Sequence, residues 1–195
     1  MIFLPFGDDE LPRSRTRESK IQKRKSKIDP PSAMTTSRKM VSRLIMGAIA
    51  VAIFAADQVS KTIVERRIPS GAVVPVVKGF FNLTNSKNSG AVFGIFSESA
   101  VWWKTPLLIA ISAALLFAVV VLVIRTQNPR WETSIGMALI LGGALSNLFD
   151  RMRSGLVEDF LDFYFRSYHW YTFNLADSAI VVGTGFVILQ VLFVE

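Results

Sequence analysis

The sequence contains no cysteine and only one histidine, His169. Without cysteine, a disulfide framework, a thiol nucleophile and a thiolate-ligated metal site are all excluded. The chain also has neither an HExxH metal motif nor a GxSxG nucleophile motif, which argues against zinc-dependent and serine–histidine hydrolysis. We therefore expect neither a metal nor an organic cofactor.

Charge is scarce outside the N-terminal part of the chain. Residues 1–40 hold ten Lys or Arg and five Asp or Glu, so they contribute most of the formal net charge of +7. The remaining sequence is nearly neutral within a chain that is 51% apolar, which argues against nucleic acid as a partner. We predict that residues 1–39 form a disordered basic cytoplasmic tail and that residues 40–195 form a membrane domain.

The apolar residues fall in long runs, whereas a soluble helical domain would spread them along stripes of period 3.6. Each run is long enough to cross about 30 Å of hydrocarbon as a helix. An even number of spans and the basic N-terminal segment place both termini in the cytoplasm. The predicted spans are residues 44–64, 105–124, 133–150 and 174–194.

Two further patterns refine this fold. Ala138, Gly142 and Ser146 repeat at a spacing of four, which predicts a face that a neighbouring helix approaches closely. The connection after the first span contains β-like runs at 73–77 and 80–84. The predicted fold is therefore an all-α integral membrane protein, a four-transmembrane-helix bundle with a small extramembrane β element between helices 1 and 2.

Polar side chains cluster at the ends of the spans, and all of the clusters fall on one side of the membrane. Polar groups near hydrocarbon are costly, so each of them is a candidate for function. The candidates are Asp57 and Lys61 on the first span, Asn147, Asp150 and Arg151 on the third, Asn174 and Asp177 at the start of the fourth, and Glu158, Asp159 and Asp162 between the third and fourth.

Two carboxylates in a weakly solvated site cannot easily both ionise, so one keeps a proton while the other acts as a base. This is the aspartyl-protease arrangement, but chemistry alone leaves Glu158, Asp159 and Asp162 as equal candidates. Asp177 also suits a plain helix cap. The pairs Asp57 with Lys61 and Asp150 with Arg151 also suit structural ion pairs.

Four blocks of sequence resemble the lipoprotein signal peptidases, also called type II signal peptidases or prolipoprotein signal peptidases. They are DQVSK at 57–61, FFNLTNSKNSGAVFGIF at 80–96, GGALSNLFDRMRSGLVEDFLDFYF at 142–165 and FNLADS at 173–178. The order of the four blocks and the spacing between them both match the family. Asn85 departs from the family pattern, where an aromatic residue is usual, and so does Ser146, where glycine is usual.

The resemblance implies a bacterial inner-membrane aspartyl endopeptidase with its active site near the periplasmic face. Such an enzyme removes the signal peptide from diacylglyceryl-modified prolipoproteins, N-terminal to the lipidated cysteine, and it is the target of the cyclic peptide globomycin. The match assigns Asp159 and Asp177 as the catalytic pair. It assigns as substrate-binding or supporting residues Asn88, Gly90, Asn147, Arg151 and Asn174, with Asp57, Lys61 and Asp150 at the edge of the site.

We expect a monomer whose partners are lipid-modified prolipoproteins and membrane lipids. Two other functions stay open from the residues alone. In one, the intramembrane acids form a proton or cation pathway. In the other, the polar clusters only lock helices together in a non-enzymatic assembly factor.

Overall fold

The computed structural model describes residues 32–90, 102–126 and 129–193. The chain divides into two compact units, Met1–Val41 and Ser42–Glu195. Residues 1–31 of the predicted tail lie outside the described residues, whereas residues 32–39, also predicted to be disordered, are helical. The helix begins there because residues 32–46 contain neither proline nor glycine, and two prolines stand just before them.

Among the described residues, four helices are long and apolar enough to cross a bilayer, as predicted. The part of the first helix that meets this criterion is Met40–Arg67, and each predicted span agrees with its helix to within four residues at either end. Large apolar side chains such as Leu115 and Phe117 are exposed, as expected for surfaces that face lipid. The helices are α1 (Ser32–Arg67), α2 (Lys104–Arg125), α3 (Trp131–Ser154) and α4 (Leu175–Phe193).

Helix α3 packs at backbone distance against both α1 and α4. A methyl group on Gly142 would lie 2.5 Å from the carbonyl oxygen of Ala50 in α1, and one on Gly143 would overlap the carbonyl oxygen of Ala176 in α4. Ala138 is fully buried on the same helix. Small residues on α3 thus allow the close approach that their spacing predicted.

An antiparallel sheet lies outside the four helices, with the strand order β1-β2-β3-β4. The strands β1 and β2 come from the α1–α2 connection, where a β element was predicted. The prediction missed the other two strands, which come from the α3–α4 connection. The strands are β1 (Val73–Val77), β2 (Phe81–Asn88), β3 (Val157–Phe165) and β4 (Tyr168–His169).

A β-bulge in β2 brings the end of that strand alongside the acidic part of β3. Leu83 pairs with Leu161, but Ser86 pairs with Asp159, so β2 contains one extra residue between these two pairs. Asn85 lies in this bulge and is buried, and its side-chain amide donates to the carbonyl oxygen of Ile68 at 2.8 Å. This bond satisfies a carbonyl at the end of α1, whereas the side-chain oxygen of Asn85 is buried with no hydrogen-bond partner among the described residues.

The turn from α3 into β3 places the acids of β3 next to the polar end of α3. Gly155 ends α3 in the left-handed region, with φ of 74°, and its N–H donates to the carbonyl oxygen of Arg151 at 3.0 Å. Glycine adopts this conformation without the steric cost of a Cβ. Since β3 begins at Val157, only a short turn separates the candidate residues of α3 from Asp159.

Candidate active site

Asp159 is held by two asparagines that come from different parts of the chain. Its side chain lies on β3, and the residue is only 2% exposed. One carboxylate oxygen, Oδ1, accepts a hydrogen bond from Nδ2 of Asn174 at 2.8 Å, and the other, Oδ2, accepts from Nδ2 of Asn88 at 2.9 Å. Both donors are neutral amides, so the carboxylate is oriented without a directly paired positive charge.

Asp177 lies in the first turn of α4, where it bonds to the preceding Asn174, and it also contacts α3. Its backbone N–H donates to Oδ1 of Asn174 at 2.9 Å, and its Oδ2 accepts from the backbone N–H of Asn174 at 3.2 Å. This reciprocal pair is the capping-box arrangement, so the structural alternative for Asp177 is present. However, its other oxygen, Oδ1, accepts from Nδ2 of Asn147 at 2.7 Å, a contact with α3 that capping does not require.

Asn174 connects the two acids. It is fully buried, and it bonds to Asp159 through its amide nitrogen and to Asp177 through its amide oxygen and backbone. Burial, followed by the nearby charge of Asp177, raises the pKa of Asp159 to about 7, although the bonds from Asn88 and Asn174 oppose this shift. The carboxyl of Asp159 is therefore partly protonated near neutral pH, as an aspartyl dyad requires.

Lys61 supplies a buried positive charge beside this pair. It is 4% exposed, and its Nζ lies 2.5 Å from Asp57 and 2.6 Å from Asp150. Nζ also donates to Oδ1 of Asn147 at 3.2 Å. The direct ion pairs of Lys61 are thus with Asp57 and Asp150, and Asn147 links its ammonium group to Asp177.

The buried carboxylate of Asp57 ties α1 to the start of α4. Its Oδ1 accepts from the backbone N–H of Ala176 at 3.0 Å, and its Oδ2 accepts from the hydroxyl of Ser146 at 2.7 Å. The Ser146 hydroxyl in turn accepts from Gln58 at 2.9 Å, and Gln58 also donates to Asp150 at 2.7 Å. Sequence reasoning missed Gln58 as part of this network and treated Ser146 only as a small residue.

The remaining predicted residues lie around the pair. Arg151 extends from α3 towards α2, with its guanidinium 3.4 Å from the hydroxyl of Ser112, and its charge interacts with those of Asp177 and Asp159. The backbone N–H of Gly90 donates to Oδ1 of Asn88 at 2.8 Å. Every residue that the family resemblance assigned to the site is therefore in or next to one connected cluster of polar side chains.

The other two acids of β3 have different environments. Asp162 accepts from Nδ2 of Asn82 at 2.7 Å and lies 2.9 Å from Nδ1 of His169. The pKa of Glu158 is raised by burial and then by the negative charge of Glu65. Of the three acids that chemistry left equal, only Asp159 shares an asparagine with Asp177 among the contacts of the described residues. Within residues 32–90, 102–126 and 129–193, no group of three or more His, Cys, Asp or Glu is arranged to hold a metal ion.

Comparisons with known proteins identify the family of the chain. The profile of the signal peptidase (SPase) II family matches residues 49–193. The lipoprotein signal peptidase of Solibacter usitatus (strain Ellin6076) is 40% identical over 144 residues, covering 74% of this chain and 88% of the relative. The lipoprotein signal peptidase of Nitratidesulfovibrio vulgaris (strain DP4) is 42% identical over 142 residues, covering 72% and 84%.

Two solved structures share the fold. A bacterial membrane enzyme determined by the in meso method at 2.3 Å matches with a TM-score of 0.68 at 30% identity, covering 76% of this chain and 87% of the other. A second bacterial membrane enzyme, determined by the same method at 1.9 Å, matches with a TM-score of 0.69 at 28% identity, covering 77% and 94%. The resemblance inferred from the four sequence blocks is thus confirmed, and the chain belongs to the signal peptidase II family of lipoprotein signal peptidases.

Proposed function

We propose that the protein is an intramembrane aspartyl endopeptidase that cleaves the signal peptide from diacylglyceryl-modified bacterial prolipoproteins, N-terminal to the lipidated cysteine. The observation that carries this proposal is the pair of acids joined by Asn174, of which Asp159 is buried with its pKa raised to about 7. Membership of the family supports the substrate class.

In the proposed mechanism, the ionised carboxylate of Asp177 takes a proton from a water molecule. The resulting hydroxide attacks the carbonyl carbon of the scissile peptide bond while the protonated carboxyl of Asp159 donates its proton to the carbonyl oxygen. Collapse of the tetrahedral intermediate breaks the C–N bond as Asp177 gives its proton to the leaving amine and the ionised Asp159 takes a proton back from a hydroxyl of the intermediate. The products are the free carboxylate of the signal peptide and the α-amine of the lipidated cysteine.

The asparagines serve this chemistry by orienting both acids. Asn88 and Asn174 hold Asp159, and Asn147 holds Asp177, through uncharged donors. A cation bonded directly to either acid would favour its ionised form and lower its pKa. Lys61 instead has its two ion pairs with Asp57 and Asp150, which is consistent with a proton that the dyad retains.

The proposed location is the bacterial inner membrane, with both termini in the cytoplasm and the dyad near the periplasmic face. The acids lie where the helices meet the extramembrane sheet, since Asp159 is on β3 and Asp177 is in the first turn of α4. A lipid-anchored substrate reaches this level from within the bilayer. Its acyl chains remain in lipid while its peptide bond contacts the acids.

The test is cleavage of a diacylglyceryl-modified prolipoprotein by the purified full-length protein in detergent, followed as a gel shift. We expect cleavage before the lipidated cysteine in the presence of EDTA, inhibition by globomycin, and no cleavage of the matched substrate whose lipidated cysteine is replaced by serine. Absence of cleavage by well-folded protein would overturn the proposal. Proton flux through the protein in liposomes would then favour the ion-pathway alternative.

The pH dependence of cleavage provides a separate prediction. Because the pKa of Asp159 is raised to about 7, its carboxyl stays protonated below neutral pH and ionises as the pH rises through that value. The mechanism needs this proton, so kcat is expected to fall above about pH 7. The measurement is kcat between about pH 5 and about pH 9, the range over which a group with a pKa near 7 titrates.

Glu158→Gln is the matched control for this pH profile. Glu158 precedes Asp159 on β3, and its pKa is also raised by burial, but it has no role in the proposed dyad. We expect the variant to keep the alkaline fall of kcat. A wild-type profile that stays flat through neutral pH would contradict the assignment of Asp159 as the proton donor.

A further inference from the structure

Lys104 is a buried cation at a position where a positive charge is unfavourable. It is the first residue of α2 and is 9% exposed. The N-terminus of a helix carries a partial positive charge, which repels an ammonium group, and burial removes its hydration. Specific contacts must therefore hold this side chain, and it lies outside the cluster that sequence reasoning identified.

One of the contacts that hold Lys104 is with Ser89, just beyond the end of β2. Nζ of Lys104 donates to the Ser89 hydroxyl at 3.1 Å. This bond connects the start of α2 to the segment that carries Asn88. It spans fifteen positions of sequence, and residues 91–101 between its two ends are not described.

Ser89 is the middle residue of a turn that fixes the side chain of Asn88. The backbone N–H of Gly90 donates to Oδ1 of Asn88 at 2.8 Å, as in an Asx turn. With Oδ1 engaged in this way, Nδ2 is the atom that faces Asp159, and it donates to Oδ2 of Asp159 at 2.9 Å. A restraint on Ser89 is thus a restraint on the direction of the Asn88 amide.

We propose that Lys104 is a positioning residue for the peptidase reaction: by holding Ser89, it keeps the Asn88 carboxamide directed at Asp159. This inference rests on the proposed function, because it assigns Lys104 to the dyad of that mechanism. Lys104 does not need to touch the substrate in this role. Its effect is expected on the rate of the chemical step and on the proton held by Asp159.

The charges and hydrogen-bond donors around Asp159 determine in which direction its pKa moves when Lys104 is replaced. Burial and then the charge of Asp177 raise its pKa, whereas the bonds from Asn88 and Asn174 and the charge of Lys61 lower it. The charge of Arg151 also interacts with it. Weakening the Asn88 bond removes stabilisation of the ionised carboxylate. The pKa of Asp159 then rises, and the alkaline fall of kcat moves to higher pH.

The experiment compares Lys104→Met, Lys104→Arg and Asn88→Ala in the full-length protein with a diacylglyceryl-modified prolipoprotein as substrate. We expect Lys104→Met to lower kcat roughly tenfold, the effect of one weakened hydrogen bond to a charged group, with little change in KM. Its alkaline limb moves to higher pH, and Asn88→Ala causes a shift of the same sign. Lys104→Arg restores most of the rate because it keeps the donor.

The double variant Asn88→Ala/Lys104→Met distinguishes positioning from an independent role. If Lys104 acts through Asn88, the double variant is no slower than Asn88→Ala alone. Additive losses of rate would overturn the proposal, as would an unchanged pH profile in Lys104→Met. Lys87→Met is the matched control, since Lys87 lies next to Asn88 on β2 but is exposed and pairs with Glu65 at 3.8 Å; it is expected to behave as wild type.

If Lys104→Met does not fold, Ser89→Ala tests the same hydrogen bond from its other end and retains the lysine. It is expected to reproduce both the loss of rate and the shift of the alkaline limb, and normal kinetics in this variant would overturn the proposal. The result differs from failure of the proposed function, which would appear as no cleavage by the wild type or as an active Asp159→Asn variant.

Discussion

Replacing either Asp159 or Asp177 with asparagine is expected to lower kcat on the order of 10⁴-fold, the upper range for loss of a general acid or base, while the helices remain inserted. An amide has nearly the shape of a carboxyl group but cannot transfer the proton. Each acid accepts one hydrogen bond at each of its oxygens. In either variant, the new NH₂ group therefore faces another N–H donor, and one hydrogen bond is lost.

This local cost makes a folding control necessary. Asp162→Asn is the matched variant, because Asp162 lies on the same strand and also accepts a bond from an asparagine, Asn82. We expect it to keep cleaving the lipid-modified substrate. Thermal unfolding of all three variants in detergent separates loss of chemistry from loss of fold. Cleavage by Asp159→Asn or Asp177→Asn at a rate near that of wild type would refute the dyad.

Of the single substitutions proposed for this protein, Lys61→Met is expected to lower the free energy of unfolding the most. Its ammonium group lies between the carboxylates of Asp57 and Asp150, with side chains only 0% and 12% exposed. Without the lysine these charges have no direct cationic partner in the described network, and breaking a buried ion pair costs about 3–5 kcal/mol. We expect the midpoint of thermal unfolding to fall by roughly 10 °C.

Two further variants identify the cause of this loss. The double variant Asp57→Asn/Lys61→Met is expected to be more stable than Lys61→Met, because it contains one uncompensated charge fewer. Lys87→Met removes an exposed lysine whose pair with Glu65 contributes at most about 1 kcal/mol, so its unfolding midpoint stays close to that of wild type. An unfolding midpoint of Lys61→Met equal to wild type would contradict the electrostatic account.

The sequence was sufficient for those features that depend on local pattern. Long apolar runs predicted all four helices, and small residues at a spacing of four predicted the contact face of α3. Strand β3 was missed because its three acids interrupt the expected alternation of apolar and polar residues. Its pairing with β2 also joins residues far apart in the sequence: the Asn82–Asp162 contact spans 80 positions and the Asn88–Asp159 contact spans 71. Such pairing has no local signal.

Only some of the residues in the polar network could be predicted from the sequence. Spacing on one helical face brought Asp57 and Lys61 together, the polar cluster at the start of the fourth span included Asn174, and the resemblance added Asn88 and Gly90. Gln58 and Ser146 were missed because their partners lie 88 to 92 positions away. From residue chemistry alone Asp159 and Asp162 were equivalent. Both lie on β3, and they differ in the residues that they contact from other parts of the chain.

The pairing of β2 with β3 also determines when the site is completed during synthesis. Asn88 precedes Asp159 by 71 positions, and helices α2 and α3 are made between them. The amide donor therefore leaves the ribosome long before the acid that it contacts, and Asp177 emerges later still. A nascent chain whose third helix has not been inserted has not assembled the proposed dyad, so under the proposed function translation order itself delays cleavage until most of the membrane domain exists.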